Sequence, residues 1–123
     1  MTFNYIDIFV TLATAKIENL LSFYTQFLGI EPTNVIPKVY GEFQLPGLKI
    51  GIFQPKSSQL SEFETSRNST MSLCLEVKDL ESTIAHLTAL GYPPPGEIIK
   101  ASHGQEIYAY DPDGNRLILH QSI

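Results

Sequence analysis

The feature that most constrains this chain is a pattern written twice. Residues 5–13 alternate, with Ile6, Ile8, Val10 and Leu12 on one side and Tyr5, Asp7, Phe9 and Thr11 on the other, which predicts a strand packed on one face. From Lys16 the period becomes helical, placing Ile17, Leu20, Leu21, Tyr24, Phe27 and Leu28 on one stripe, and Gly29 supplies a C-terminal stop. Three short strands are expected at 33–38, 41–45 and 48–53, with Pro37, Pro46 and Gly47 at the turns. The order then returns. Met71, Leu73, Leu75 and Val77 alternate with Thr70, Ser72, Cys74 and Glu76; Asp79 caps a helix carrying Leu80, Ile84 and Leu87; Gly91 ends it. Strands at 97–101, 105–110 and 115–121 follow a Pro93-Pro94-Pro95-Gly96 loop.

The reading is therefore strand-helix-strand-strand-strand, twice, within one 123-residue domain: module one at 5–54, a polar connector at 55–69, and module two at 70–121. Phe9 maps onto Ser72 and Gly41 onto Gly104 at one offset, and a small shift brings Gly29 onto Gly91. A helix covers only one face of such a sheet, so the other must be buried by a second unit, in the same chain or a partner chain. This logic predicts a homodimer.

The last hairpin carries the most specific local signal. Asp111-Pro112-Asp113-Gly114-Asn115 is a tight turn: Pro112 presets φ, Asp and Asn side chains cap nearby N–H groups, and Gly114 takes a positive φ. This turn and the strand after it, with Ser22-Phe23-Tyr24 and Leu28-Gly29 in the first helix, resemble the vicinal oxygen chelate superfamily of glyoxalases, extradiol dioxygenases and bleomycin-resistance proteins. The resemblance runs from Phe9 to His120. It implies an α+β fold in which two βαβββ modules form a curved mixed sheet.

The same resemblance implies where chemistry would sit. Metal-dependent members resemble one another in using up to four slots on the concave sheet, filled by His, Gln or Glu. Carried over, the first-strand slots fall on Phe9 and Ser72 and the last-strand slots on Gly51 and Ile118. Phe, Gly and Ile offer no ligand and a neutral Ser hydroxyl is a poor one. The expectation is a protein without a metal or other cofactor, whose concave face binds a small molecule. Asp7 and Glu76 share a face with the slots and have carboxylates to offer, but they are read first as polar residues near strand ends that meet water.

The residues expected to line the ligand face are Phe9, Thr11, Phe53, Ser72, Cys74, Tyr108, Tyr110, Arg116, Ile118 and His120. Phe9, Phe53, Tyr108 and Tyr110 form an aromatic wall for a planar or amphipathic ligand, or else fill the face or a dimer seam. Arg116 is either a carboxylate anchor or a solvated strand-end residue. His120 shares parity with Ile118 and Arg116, at the rim, either as a proton donor or acceptor or with no special partner. Cys74 reads as an inert small core residue, since no basic neighbour is evident to activate it. His86 reads as a solvated helix residue, and His103 as a surface residue in the turn before the seventh strand or part of a lid.

Composition narrows the rest. Thirteen acids against eight bases give a net charge of −5 with no basic cluster, which argues against nucleic acid and anionic membranes. No apolar run reaches the roughly 20 residues of a membrane span. The first residues show neither a charged leader nor a cleavage site, and a lone cysteine fits a reducing compartment, so a cytoplasmic protein is expected. Three functions compete: a metal-free binding protein like the bleomycin-resistance branch; a metal-dependent lyase, epimerase or dioxygenase; and a structural or regulatory module whose aromatics fill its own concave face.

Overall fold

The computed structural model describes residues 3–64 and 69–123. Part of the expected connector, residues 65–68, and the first two residues lie outside them. The elements are β1 (Val10–Ala13), α1 (Ile17–Leu28), β2 (Thr33–Ile36), β3 (Tyr40–Leu45), β4 (Leu48–Phe53), β5 (Leu73–Glu76), α2 (Leu80–Leu90), β6 (Ile99–Ala101), β7 (Gly104–Tyr110) and β8 (Arg116–Ser122). A 3₁₀ helix, Ser57–Phe63, occupies the described part of the connector, where no element was expected. Each module makes a four-stranded mixed sheet, in the orders β1-β4-β3-β2 and β5-β8-β7-β6. The repeat read from the sequence is the repeat observed.

Contacts divide the chain into two compact units. The first holds β1–β4 and most of α1; the second holds β5–β8, α2 and Gln26–Leu28. In the first, parallel pairing of β1 with β4 puts Val10 beside Ile50 and Leu12 beside Ile52. Parallel neighbours need a crossover, and α1 supplies it. Ile17, Leu20, Phe23 and Tyr24 of α1 are buried, as are Phe43, Ile50 and Ile52 of the sheet. The Tyr24 and Phe43 rings meet at 6.3 Å. Gly41 leaves room for Leu21, whose Cδ2 would stand 2.8 Å from a Cβ there. The second unit repeats the scheme, with Leu80 and Leu87 buried on α2 and Ile107, Ala109, Leu117 and Leu119 on the sheet.

One device appears in both units. Gln54, just after β4, accepts the Ile17 N–H through its Oε1 at 3.2 Å, and Gln121 accepts the Leu80 N–H at 2.6 Å. Each satisfies a donor that the first turn of a helix leaves without an intrahelical partner. The next backbone bond is shared too: Thr14 N donates to Phe53 O and Val77 N to His120 O.

The first strand of each module is shorter than the alternation predicts. Ile6 and Ile8 are fully or largely exposed and precede β1, and Met71 likewise precedes β5. Among the described residues, no strand pairs with them. Phe23, absent from the expected helical stripe, is buried. The equivalence of Gly41 with Gly104 also fails. Gly41 lies opposite Ile52 and Ile107 opposite Leu119, so Gly41 corresponds to Ile107.

The Asp111 turn behaves as its residues require. Asp111 is buried; its Oδ1 accepts the N–H groups of Asp113 and Asn115, both at 2.9 Å, and its Oδ2 accepts Asn115 Nδ2 at 2.8 Å. Gly114 has φ +86°. Asp111→Ala removes one acceptor from three donors, and a loss of about 2 kcal/mol or more is expected in urea unfolding.

Candidate functional site

Consecutive strand residues face opposite sides, so each sheet has a helix face and a far face. On the far face of the first unit, Tyr40 pairs with Phe53, Glu42 with Gly51 and Gln44 with Lys49, while β1 adds Thr11 beside Gly51 and Ala13 beside Phe53. Phe9 precedes the strand and lies under Lys49, whose Nζ stands 4.1 Å from the ring centroid. Phe9, Thr11 and Phe53 thus belong to this face as read from the sequence. Phe53 spends its ring on Phe63, edge-on at 5.2 Å.

Gly51, the first-module last-strand slot as carried over from the superfamily, has no side chain and is crowded. A Cβ on Gly51 would stand 2.7 Å from the Tyr40 hydroxyl and 3.1 Å from its Cε1. The ring of Tyr40 occupies the space a ligand side chain would need. Its hydroxyl titrates above the ordinary range, because it is desolvated and then because Glu42 is near. Glu42 is itself buried and accepts Asn34 Nδ2 at 2.7 Å, with Lys49 Nζ at 3.7 Å. Asp7, read as a spare carboxylate, is taken by Lys49 at 2.8 Å. That hydrogen bond, with one from the Ile8 N–H, holds the Asp7 carboxyl below its ordinary value. The same bond raises Lys49.

On the far face of the second unit, β8 presents Arg116, Ile118 and His120. Tyr110 lies opposite Arg116, Tyr108 and Cys74 flank Ile118, and Glu106 and Glu76 flank His120. The second-module residues expected on this face are there, with Ser72 just before β5 and joined to the face through Arg116. Arg116 is no free anchor: its Nη1 donates to Ser69 O at 2.7 Å and to Ser72 Oγ at 3.1 Å. This ties up the one hydroxyl among the four slots. Cys74 is exposed rather than part of the core. Desolvation of its sulfur, then the charges of Glu106 and Glu76, push the thiol up and leave it a weak nucleophile.

His120 is the residue with the most defined surroundings. Its Nδ1 lies 2.6 Å from Glu76 Oε1, while Glu76 Oε2 accepts the Ser122 N–H at 2.8 Å. These bonds, His120 first, hold the Glu76 carboxyl below its ordinary value. The other ring nitrogen, Nε2, is buried without a hydrogen-bond partner among the described residues. The His103 ring stacks on it at 5.3 Å, and His103, Glu106 and His120 offer ligand atoms all within 4.8 Å of one another. The sequence reading took each histidine singly and missed Glu106. The one available signal was a shared parity across the β7–β8 hairpin, readable only once the register is known. His86 is exposed but not merely solvated: its Nε2 lies 3.2 Å from the carbonyls of Gln26 and Phe27, at the end of α1.

The model of the Glyoxalase/Bleomycin resistance protein/Dioxygenase superfamily matches residues 5–119. The chain belongs to this superfamily. A glyoxalase / bleomycin resistance protein from Catenulispora acidiphila is 20% identical, with a TM-score of 0.70 covering 97% of this chain and 100% of that one. A protein from Agrobacterium tumefaciens solved by NMR is 24% identical, with a TM-score of 0.76 over 94% and 95% of the two chains. A lactoylglutathione lyase from the same organism is 17% identical, with a TM-score of 0.69 over 96% and 94%. No curated protein matches in sequence. At these identities the likeness shows the fold alone. The four superfamily ligand positions, as carried over to Phe9, Gly51, Ser72 and Ile118, do not fit a metal ion: two are apolar, one has no side chain and the tip of Tyr40 against it, and one hydroxyl is held by Arg116.

Two measurements check this account. Gly51→Glu is expected to destabilise the protein by about 1–3 kcal/mol through overpacking, with Tyr40→Ala in the same chain recovering part of the loss in a double-mutant cycle. Asp7→Asn is expected to lower the melting temperature slightly at neutral pH. Because the folded Asp7 titrates low, its contribution is present above the unfolded value of 3.8 and fades as pH falls through the folded one, so the two melting curves converge in acid. The Lys49 side of the pair holds up to 10.5 and is lost above it, where the curves converge again.

Proposed function

We propose that this chain is a small-molecule-binding member of the superfamily that takes its ligand on the far face of the second sheet without using the superfamily's metal positions. The observation that carries this reading is the lack of a donor set at those positions as carried over: Phe9 and Ile118 are apolar, Gly51 has no side chain, and the Ser72 hydroxyl is held by Arg116. The far face of the second sheet offers recognition chemistry. Tyr108, 40% exposed, and Ile118 give an apolar, aromatic floor, and Arg116, His120 and Cys74 add polar edges. Such a surface suits a planar or amphipathic ligand with one polar end. Phe9, Thr11 and Phe53 extend the proposal to the first sheet. Lyase, epimerase or dioxygenase chemistry anchored at the superfamily's own positions finds no donor set there.

The assembly we propose is a cytoplasmic homodimer. Supporting it are large apolar side chains left exposed, Ile6 at 104% and Met71 at 71%, and the wholly exposed edge strand β2 with Val35 and Ile36. Analytical ultracentrifugation reads the association directly.

The function is tested by melting chelator-treated protein against a panel of planar aromatic acids and amphipathic amines. At least one compound is expected to raise the melting temperature with no metal added. Tyr108→Ala is expected to weaken that compound at least about tenfold, the cost of removing one stacked ring being on the order of 1–2 kcal/mol. A compound that stabilises only after a metal is added and ignores Tyr108→Ala would overturn the reading.

A further inference from the structure

We propose that His103, Glu106 and His120 form a binding site for a zinc-class divalent ion, one residue pair along β8 from the superfamily position at Ile118. The proposal does not rest on the small-molecule reading and stands whether or not an organic ligand binds.

Four observations converge on it. The donor set is two imidazoles and one carboxylate, the chemistry that zinc and its neighbours favour over calcium or magnesium. The three groups come from the β6–β7 turn, β7 and β8, and their ligand atoms already lie within 4.8 Å of one another. Two donors each at about 2.0–2.2 Å from one ion stand no more than about 4.4 Å apart. Binding requires the His103 ring to turn off its stack on His120 so that both imidazole lone pairs aim at one ion, and the exposed position of His103 on a turn permits that rotation.

The third observation is the state of His120. Glu76 holds its Nδ1 at 2.6 Å and is itself fixed by the Ser122 N–H, so the ring is oriented, and the neutral tautomer that donates to Glu76 carries its proton on Nδ1. Nε2 is left as the lone-pair atom, and it is buried with no partner among the described residues. A buried polar atom without a partner costs on the order of 1–3 kcal/mol. A carboxylate behind one imidazole nitrogen and an ion in front of the other is the arrangement that metal-ligating histidines adopt. The fourth is Gly104. A Cβ there would stand 3.1 Å from His120 Nε2 and 2.3 Å from Gln121 O, so only glycine keeps the space beside Nε2 open.

Three protein ligands leave a tetrahedral ion one further position, as in sites where zinc meets an exogenous group. Tyr108 and Ile118 lie one step along the same face.

The test titrates chelator-stripped full-length protein with Zn²⁺ by calorimetry, and with Co²⁺ by its visible d–d absorption, which reports coordination geometry. One equivalent of Zn²⁺ is expected, together with a raised melting temperature and a Co²⁺ spectrum of four- or five-coordinate type. His103→Ala and Glu106→Gln should each weaken Zn²⁺ at least tenfold, and Glu76→Gln, acting through His120, about 10- to 100-fold. His86→Ala removes the histidine outside the cluster and should leave the affinity unchanged. His103 is exposed on a turn, so its variant remains readable even if changes at His120 disturb folding. Absence of stoichiometric binding, equal binding of Mg²⁺ and Ca²⁺, or an affinity indifferent to His103→Ala and Glu106→Gln would each overturn the proposal. Loss of metal binding with the ligand response to aromatic acids intact would leave the small-molecule reading standing, which separates the two.

Discussion

Parallel pairing between the first and last strands of each module is the constraint on which the rest depends. Two parallel neighbours cannot be joined by a hairpin, so the chain must cross over, and α1 and α2 are those crossovers. A crossover helix covers one face of its sheet and leaves the other without cover from its own module. The covered face is where Phe43, Ile50, Ile52, Ile107, Leu117 and Leu119 are buried. The uncovered face is where side chains with chemistry are set out at known spacing. Gln54 and Gln121 fasten the start of each helix to the end of its module's closing strand.

Much of this was legible in the sequence because it rests on periodicity and on turn chemistry. Helices ended by Gly29 and Gly91, a cap at Asp79, and the buried Asp111 turn all follow from local rules, and local rules are visible one residue at a time. The strand starts were not. Ile6 and Ile8 alternate with polar residues as convincingly as Val10 and Leu12, yet no partner strand among the described residues reaches them. Alternation reports that a segment can be half-buried; only pairing decides that it is.

The candidate site shows the same division more sharply. Parity placed Arg116, Ile118 and His120 on one face. It could not place Glu106 and Glu76 on either side of His120, because that requires the register of two strand pairs, one of them parallel. The three histidines therefore read as three unrelated residues when one of them has a carboxylate behind it and a second imidazole above it. The crowding of Gly51 by Tyr40 was invisible for the same reason. A missing ligand is seen in the sequence, but the ring that fills its place comes from a neighbouring strand.

The two glutamines show how a doubled module can drift. Aligned by register, the helix-facing positions of the closing strands read Ile50, Ile52 and Gln54 in one copy and Leu117, Leu119 and Gln121 in the other. The alternate positions read Gly51 and Phe53 against Ile118 and His120, and the strands beside them set Tyr40 and Glu42 against Glu106 and Tyr108. Every second residue is held to type by the helix beneath it, and every residue between is free of that demand. A duplicated scaffold of this kind inherits its architecture on one side of each strand and is at liberty to change its trade on the other.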